Sequence, residues 1–149
     1  MAEKTVKIKI DKRDYQVPDG ITVLQACRQA GIEIPSICYM EGISEVAACS
    51  ICVVEINSSK PLKRSCVTTV ADGMEVLTNT ERVRKARRMN LELLLAGHPQ
   101  DCFVCDRSQT CELRKIAFEM GIREVRFPKT SKLSLPLDMT SPSLVRDPN

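Results

Sequence analysis

The chain has no tryptophan, one histidine and only 3% aromatic residues in a length of 149. Large rings therefore cannot supply most of its burial, although 43% hydrophobic residues suffice for one modest core or two small ones. No apolar run reaches the length of a membrane span; the longest patch lies around residues 91–96. The N-terminus alternates lysines with Val6, Ile8 and Ile10 and has no apolar signal core, so a cytoplasmic location is expected. A Gly-rich phosphate loop, a catalytic base or nucleophile and an open metal site are not evident either, so no catalytic site of its own is expected. The net charge of +3 is too small to argue for nucleic acid. Arg82, Arg84, Lys85, Arg87 and Arg88 lie on a predicted helix among acids, which reads as a solvated face or a docking face for an acidic partner.

What the chain has in excess is cysteine, eight residues in all. In a secreted protein they would read as disulfides; in a reducing compartment, clustered thiols mean metal or redox chemistry. Thiolates bound to metal would bring the net charge down towards neutral.

The hydrophobic pattern divides the chain at three places. Residues 1–78 read as a small sheet around a helix. Val6, Ile8 and Ile10 form one alternating strand, Tyr15 and Val17 a second, with a polar turn over residues 11–14 between them. Thr22 caps a helix that runs through Ala30 and stops at Gly31, with Val23, Ala26, Cys27 and Ala30 on one face. Residues 52–56 form an inner strand and residues 74–76 a closing one. That order is expected of a β-grasp ferredoxin domain, giving an α+β fold. Residues 79–128 read as a linker helix and a small helical domain. Asn79 or Thr80 caps the linker helix, Val83, Ala86, Met89, Leu93 and Ala96 form its buried stripe, and Gly97 ends it. After a tight loop, a further helix covers about residues 110–120, with Leu113, Ile116, Ala117 and Met120 on one side; Val125 and Phe127 suit an added strand. Residues 129–149 read as an extended tail or linker.

The cysteines fall into two sets. Cys38, Cys49, Cys52 and Cys66 have the spacing C-x10-C-x2-C-x13-C. A [2Fe–2S] cluster takes two thiolates on each iron, and small residues between the first two cysteines (Gly42, Ser44, Ala47, Ala48) let backbone N–H groups approach its sulfurs. A structural zinc site with four cysteines is the rival reading; the long third gap and the β-grasp pattern favour the cluster. His98, Cys102, Cys105 and Cys111 form the second set, H-x3-C-x2-C-x5-C. Three thiolates and an imidazole suit either a [4Fe–4S] cluster or zinc, and composition leaves both open. Cys111 falls at a predicted helix N-terminus, which stabilises a thiolate. Cys27 is left over and reads as a small core residue, with regulatory oxidation as the alternative.

The stretch from Cys27 to Tyr39, CRQAGIEIPSICY, continued by AACSICVVE from Ala47, resembles the N-terminal [2Fe–2S] domain of a known family. This family comprises the complex I large iron–sulfur subunit, the NAD(P)-linked iron-only hydrogenases and the NAD-dependent formate dehydrogenases. GHPQDCFVCD from Gly97, then Cys111-Glu-Leu113, is similar to the histidine-ligated [4Fe–4S] domain that follows it there. The resemblance covers about residues 6–127 and implies a [2Fe–2S] cluster on Cys38, Cys49, Cys52 and Cys66. It also implies a [4Fe–4S] cluster on His98, Cys102, Cys105 and Cys111. Where the family usually has Gly and Arg in its Gly-Ala-Cys-Arg-x-Cys motif, this chain has Ala47 and Ser50. Alanine disfavours a left-handed backbone at 47, and Ser50 removes a charge. Longer relatives continue with more clusters and a catalytic domain, so a fragment, a truncated chain or a short paralogue is expected. The implied function is an electron-transfer subunit or module of an NAD(P)-linked oxidoreductase complex. It would relay single electrons between an NAD(P)H-linked flavoprotein iron–sulfur subunit and further clusters, or a hydrogenase or dehydrogenase catalytic subunit or domain. A zinc-stabilised interaction module and an iron–sulfur redox sensor are the alternatives.

Overall fold

The computed structural model describes residues 4–99, 101–128 and 135–146. Strand β1 (Thr5–Ile10) carries the alternation of its sequence directly, with Val6, Ile8 and Ile10 buried and its other three residues exposed. It pairs antiparallel with β2 (Arg13–Pro18), Ile8 opposite Tyr15 and Val6 opposite Val17. The hairpin turns through Asp11 and Lys12, both at positive φ. Helix α1 (Val23–Gln29) starts at a capping box in which Thr22 and Gln25 exchange hydrogen bonds. Its Val23, Leu24, Ala26 and Cys27 lie in the core with Ile8, Ile10, Val54 and Val76 of the sheet.

The short pair β3 (Tyr39–Met40) and β4 (Ser44–Glu45) follows α1, then β5 (Val53–Ile56), β6 (Lys63–Arg64) and β7 (Glu75–Leu77). The main sheet has five strands in the order β2-β1-β7-β5-β6, with β7 parallel to β1 and antiparallel to β5. Strand–strand–helix–loop–strand–strand is thus the observed order, and the fold is α+β.

Helix α2 (Glu81–Ala96) is capped by Thr80, whose hydroxyl accepts the Val83 N–H at 3.2 Å and donates to Glu55 at 3.1 Å. Its buried face differs from the expected stripe. Val83 and Ala96 are buried, but Met89 and Leu93 are about half exposed, and Arg87, Leu91 and Glu92 are buried instead. The helix is rotated because the loop and strand beneath it present carbonyls that need donors. Asn90 donates to Ser50 O at 2.7 Å, and Arg87 donates to Val53 O. Arg87 is therefore not part of a solvated basic face.

Helix α3 (Glu112–Glu119) packs Ile116 and Ala117 against Leu91 of α2 and against Ile51 from the cysteine loop. This second core joins the sheet domain to the helical segment. The residues after α3 form no strand at Val125 or Phe127; the segment is held instead by Arg126, which pairs with buried Glu92 at 2.7 Å. In the tail, Asp138 and Arg146 form an antiparallel bridge, and residues 129–134 and 147–149 lie outside the described residues. No helix among the described residues is long and apolar enough to cross a membrane.

Candidate metal centres

The first four cysteines converge at the end of the sheet. Cys38 precedes β3, Cys49 and Cys52 flank a turn leading into β5, and Cys66 follows β6. Their sulfurs form two pairs: Cys38 and Cys49 at 3.3 Å, and Cys52 and Cys66 at 3.3 Å. The close partners are therefore not the sequence neighbours Cys49 and Cys52. Tetrahedral metal–thiolate bonds of about 2.3 Å would set two sulfurs on one metal about 3.8 Å apart, so each pair would open by about half an ångström to hold a metal. Two such pairs in one loop system suit two irons with two thiolates each. The thiols also act on one another electrostatically, Cys66 feeling Cys52, Cys38 and Cys49.

The backbone is bent to serve these sulfurs. Ala47 and Ser50 both have positive φ, 51° and 52°. The left-handed conformation expected to be disfavoured by alanine at 47 is therefore present, held by Arg64, which donates to the Ala47 carbonyl at 2.8 Å. The Cys49 N–H donates to Cys38 Sγ at 3.4 Å. Burial raises the pKa of both Cys49 and Cys38 thiols, but backbone N–H groups of Ile51 and Ile37 outweigh it at Cys49 and bring it down, while Cys38 stays raised. Burial and the Cys52 thiol push Cys66 up. Ser65, fully buried, donates from both its hydroxyl (2.7 Å) and its backbone N–H (3.2 Å) to the Cys52 carbonyl, which ties the second thiol pair together. Ser65 and Arg64 carried no sequence signal and Arg87 stood out only as one of a basic run, because each works through a backbone carbonyl.

The second set lies around the loop between α2 and α3. His98, Cys102, Cys105 and Cys111 all line one cavity of about 230 Å³. Successive turns bring them round, with Val104 N–H on Asp101 O, Ser108 N–H on Cys105 O and Thr110 N–H on Arg107 O. Cys111 is the N-cap of α3, its sulfur accepting the Arg114 N–H at 3.5 Å. Arg114 in turn holds the loop by donating to the carbonyl and hydroxyl of Ser108. The four donors thus face one shared space. Among the described residues, no three His, Cys, Asp or Glu side chains meet closely enough to hold a single metal ion. All eight cysteines are free. Cys27 is fully buried in the main core, and burial pushes its pKa up to about 12, so it is a packed neutral thiol.

A β-grasp sheet with two thiol pairs at its rim, joined to a helical loop with three thiols and an imidazole, defines a ferredoxin-type iron–sulfur protein. By sequence the chain belongs to the family of 2Fe-2S iron–sulfur cluster binding domains, whose model matches residues 3–81. Residues 87–126 match the iron–sulfur binding region of NADH-ubiquinone oxidoreductase-G. The chain thus carries a [2Fe–2S]-binding domain followed by a [4Fe–4S]-binding region. It is 43% identical over 145 residues to the NADP-reducing hydrogenase subunit HndD of Solidesulfovibrio fructosivorans, covering 94% of this chain and 25% of that one. It is 42% identical over 122 residues to the NADH-ubiquinone oxidoreductase 75 kDa subunit of Reclinomonas americana, covering 82% and 18%. Among solved structures it is similar to an NAD+-reducing [NiFe]-hydrogenase in the H2-reduced state, with a TM-score of 0.80, 28% identity, and coverage of 92% and 57%. The chain spans a quarter or less of the length of these two curated relatives.

Proposed function

We propose that this chain is an electron-transfer module of an NAD(P)-linked oxidoreductase complex of the hydrogenase, electron-bifurcating or formate dehydrogenase type. In this reading Cys38 and Cys49 bind one iron of the [2Fe–2S] cluster, and Cys52 and Cys66 bind the other. His98, Cys102, Cys105 and Cys111 bind the [4Fe–4S] cluster. The observation that carries the reading is the pairing of four thiols at 3.3 Å beside a second cavity lined by three thiols and the one imidazole.

The clusters supply one-electron chemistry when bound. The chain's part is to hold them and set their surroundings. Backbone N–H groups aimed at Cys38 and Cys49 favour the more negative, reduced state of the first centre. The neutral imidazole of His98 in place of a thiolate makes the second centre less negative, which favours its reduction. Ile51, Leu91, Ile116 and Ala117 form a packed apolar bridge with Cys49 at its edge, giving a rigid connection between the two centres.

Partners of the proposed kind are a flavoprotein iron–sulfur subunit linked to NAD(P)H on one side and a hydrogenase or dehydrogenase catalytic subunit or domain on the other. Phe103, Val104 and Phe118, each more than four-fifths exposed, surround the second centre and suit a covered surface. A cytoplasmic setting agrees with eight free thiols. The test is paramagnetic resonance on Cys49→Ser and Cys102→Ser proteins. Each is expected to lose one cluster signal and keep the other; loss of both signals from either folded variant contradicts the two-centre reading.

A further inference from the structure

Arg87 is a charged side chain sealed inside the protein. It is only 7% exposed, and it reaches from α2 to the first centre, donating from Nε at 3.1 Å and Nη2 at 2.8 Å to the carbonyl of Val53. Val53 directly follows Cys52. A neutral carbonyl satisfies donors but not charge, and a buried guanidinium needs an anion. Among the described residues Arg87 makes no ion pair. Asp11 is the one carboxylate that acts on it, without forming an ion pair, and its two oxygens are turned to Thr78. Cys27, its other neighbour, is a neutral thiol. The ligand next along the chain from the carbonyl that Arg87 holds is Cys52, so the anion this position would face is the cluster that Cys52 would hold.

We infer that Arg87 is the fixed counter-charge of the [2Fe–2S] centre, a positioning residue that anchors the Cys52 strand to α2 and raises the reduction potential of that centre alone. The inference rests on the [2Fe–2S] assignment proposed above. A [2Fe–2S] core held by four thiolates is an anion in both redox states, and one electron from a reductant adds a further negative charge. A buried positive charge stabilises the reduced state more than the oxidised one. Arginine suits the position because it stays protonated under burial and its fork can hold one carbonyl with two donors. Because α2 continues into the second centre, the same residue links the docking of the helical segment to the electronics of the first.

The test is an anaerobic redox titration of the full chain, followed by paramagnetic resonance, with the parent, Arg87→Gln and Arg87→Lys. The [2Fe–2S] signal of the parent tests the underlying assignment; without it, that assignment falls whatever the variants do. Given the signal, Gln is expected to make reduction about tenfold less favourable, a fall of about 59 mV for a one-electron couple. Lys is expected to restore most of that shift, and the [4Fe–4S] signal is expected to titrate unchanged in all three proteins. Equal shifts for Gln and Lys, no shift for Gln, or a rise in potential would overturn the inference. Should the Gln protein fold without taking up the cluster, uptake by the Lys protein supports the charge requirement, and failure of both refutes it.

Discussion

Replacing Ile51 with alanine isolates the contact on which the joint between the two centres depends. Ile51 sits between Cys49 and Cys52, is fully buried, and packs against Leu91 of α2 and Ile116 and Ala117 of α3. Alanine removes three carbons, and at about 0.8 kcal/mol per buried carbon the transfer loss is about 2.4 kcal/mol. Because α2 and α3 are fixed by their own bonds, part of the space stays open, and a residual cavity of about 30 Å³ at about 24 cal/mol per Å³ adds about 0.7 kcal/mol. The expected loss is about 3 kcal/mol, which for a domain of this size lowers Tm by about 6–12 °C. Urea denaturation of anaerobically prepared protein, followed by circular dichroism, measures it. Val46→Ala in the same loop is the control, since Val46 is 68% exposed and its truncation is expected to cost under about 0.5 kcal/mol. If Ile51→Ala costs no more than Val46→Ala, the cysteine loop does not pack on the helical segment and the rigid connection is wrong.

Glu92 is a fully buried carboxylate bonded by Arg88 at 3.0 Å and Arg126 at 2.7 Å. Glu92→Gln is expected to cost about 2–3 kcal/mol at neutral pH, below the usual figure for a broken buried pair because both arginines reach solvent. Burial raises the Glu92 pKa, but the two guanidinium groups outweigh it and hold the group below the ordinary carboxylate value. Its contribution is therefore complete above that ordinary value and is lost as pH falls through the lowered one, so the gap in urea midpoint between parent and variant should narrow in acid. A gap that widens in acid would contradict the pairing. His98→Cys replaces a neutral ligand with a charged one and should lower the potential of the [4Fe–4S] centre in a redox titration. An unchanged or higher value argues against imidazole ligation.

Much of the sheet domain was legible because its signals are local. The alternation of Val6, Ile8 and Ile10, the Thr22 cap and the Gly31 stop depend on neighbours within a few residues, and the structure has all three. Cys111 at a helix N-terminus was legible for the same reason. The face of α2 was not. Apolar residue type pointed to Met89 and Leu93, whereas the helix turns Arg87 and Asn90 inward because unpaired carbonyls of Val53 and Ser50 wait beneath it. A carbonyl awaiting a donor leaves no mark in the sequence. Glu92 likewise reads as a surface acid until Arg126, 34 residues on, is brought beside it. The cysteine spacing suggested two sets but not the pairing within the first, since Cys38 meets Cys49 only once the intervening β3–β4 turn has closed. Ala47 shows the converse. A residue type that argues against positive φ adopts it because the Arg64 bond and the surrounding packing over-determine the loop.

The most direct test of the account is iron and acid-labile sulfide analysis of protein isolated without oxygen, together with its absorption spectrum. Two clusters of the proposed kinds require about six irons and six sulfides per chain and a brown protein. A colourless protein carrying stoichiometric zinc and no sulfide would contradict it.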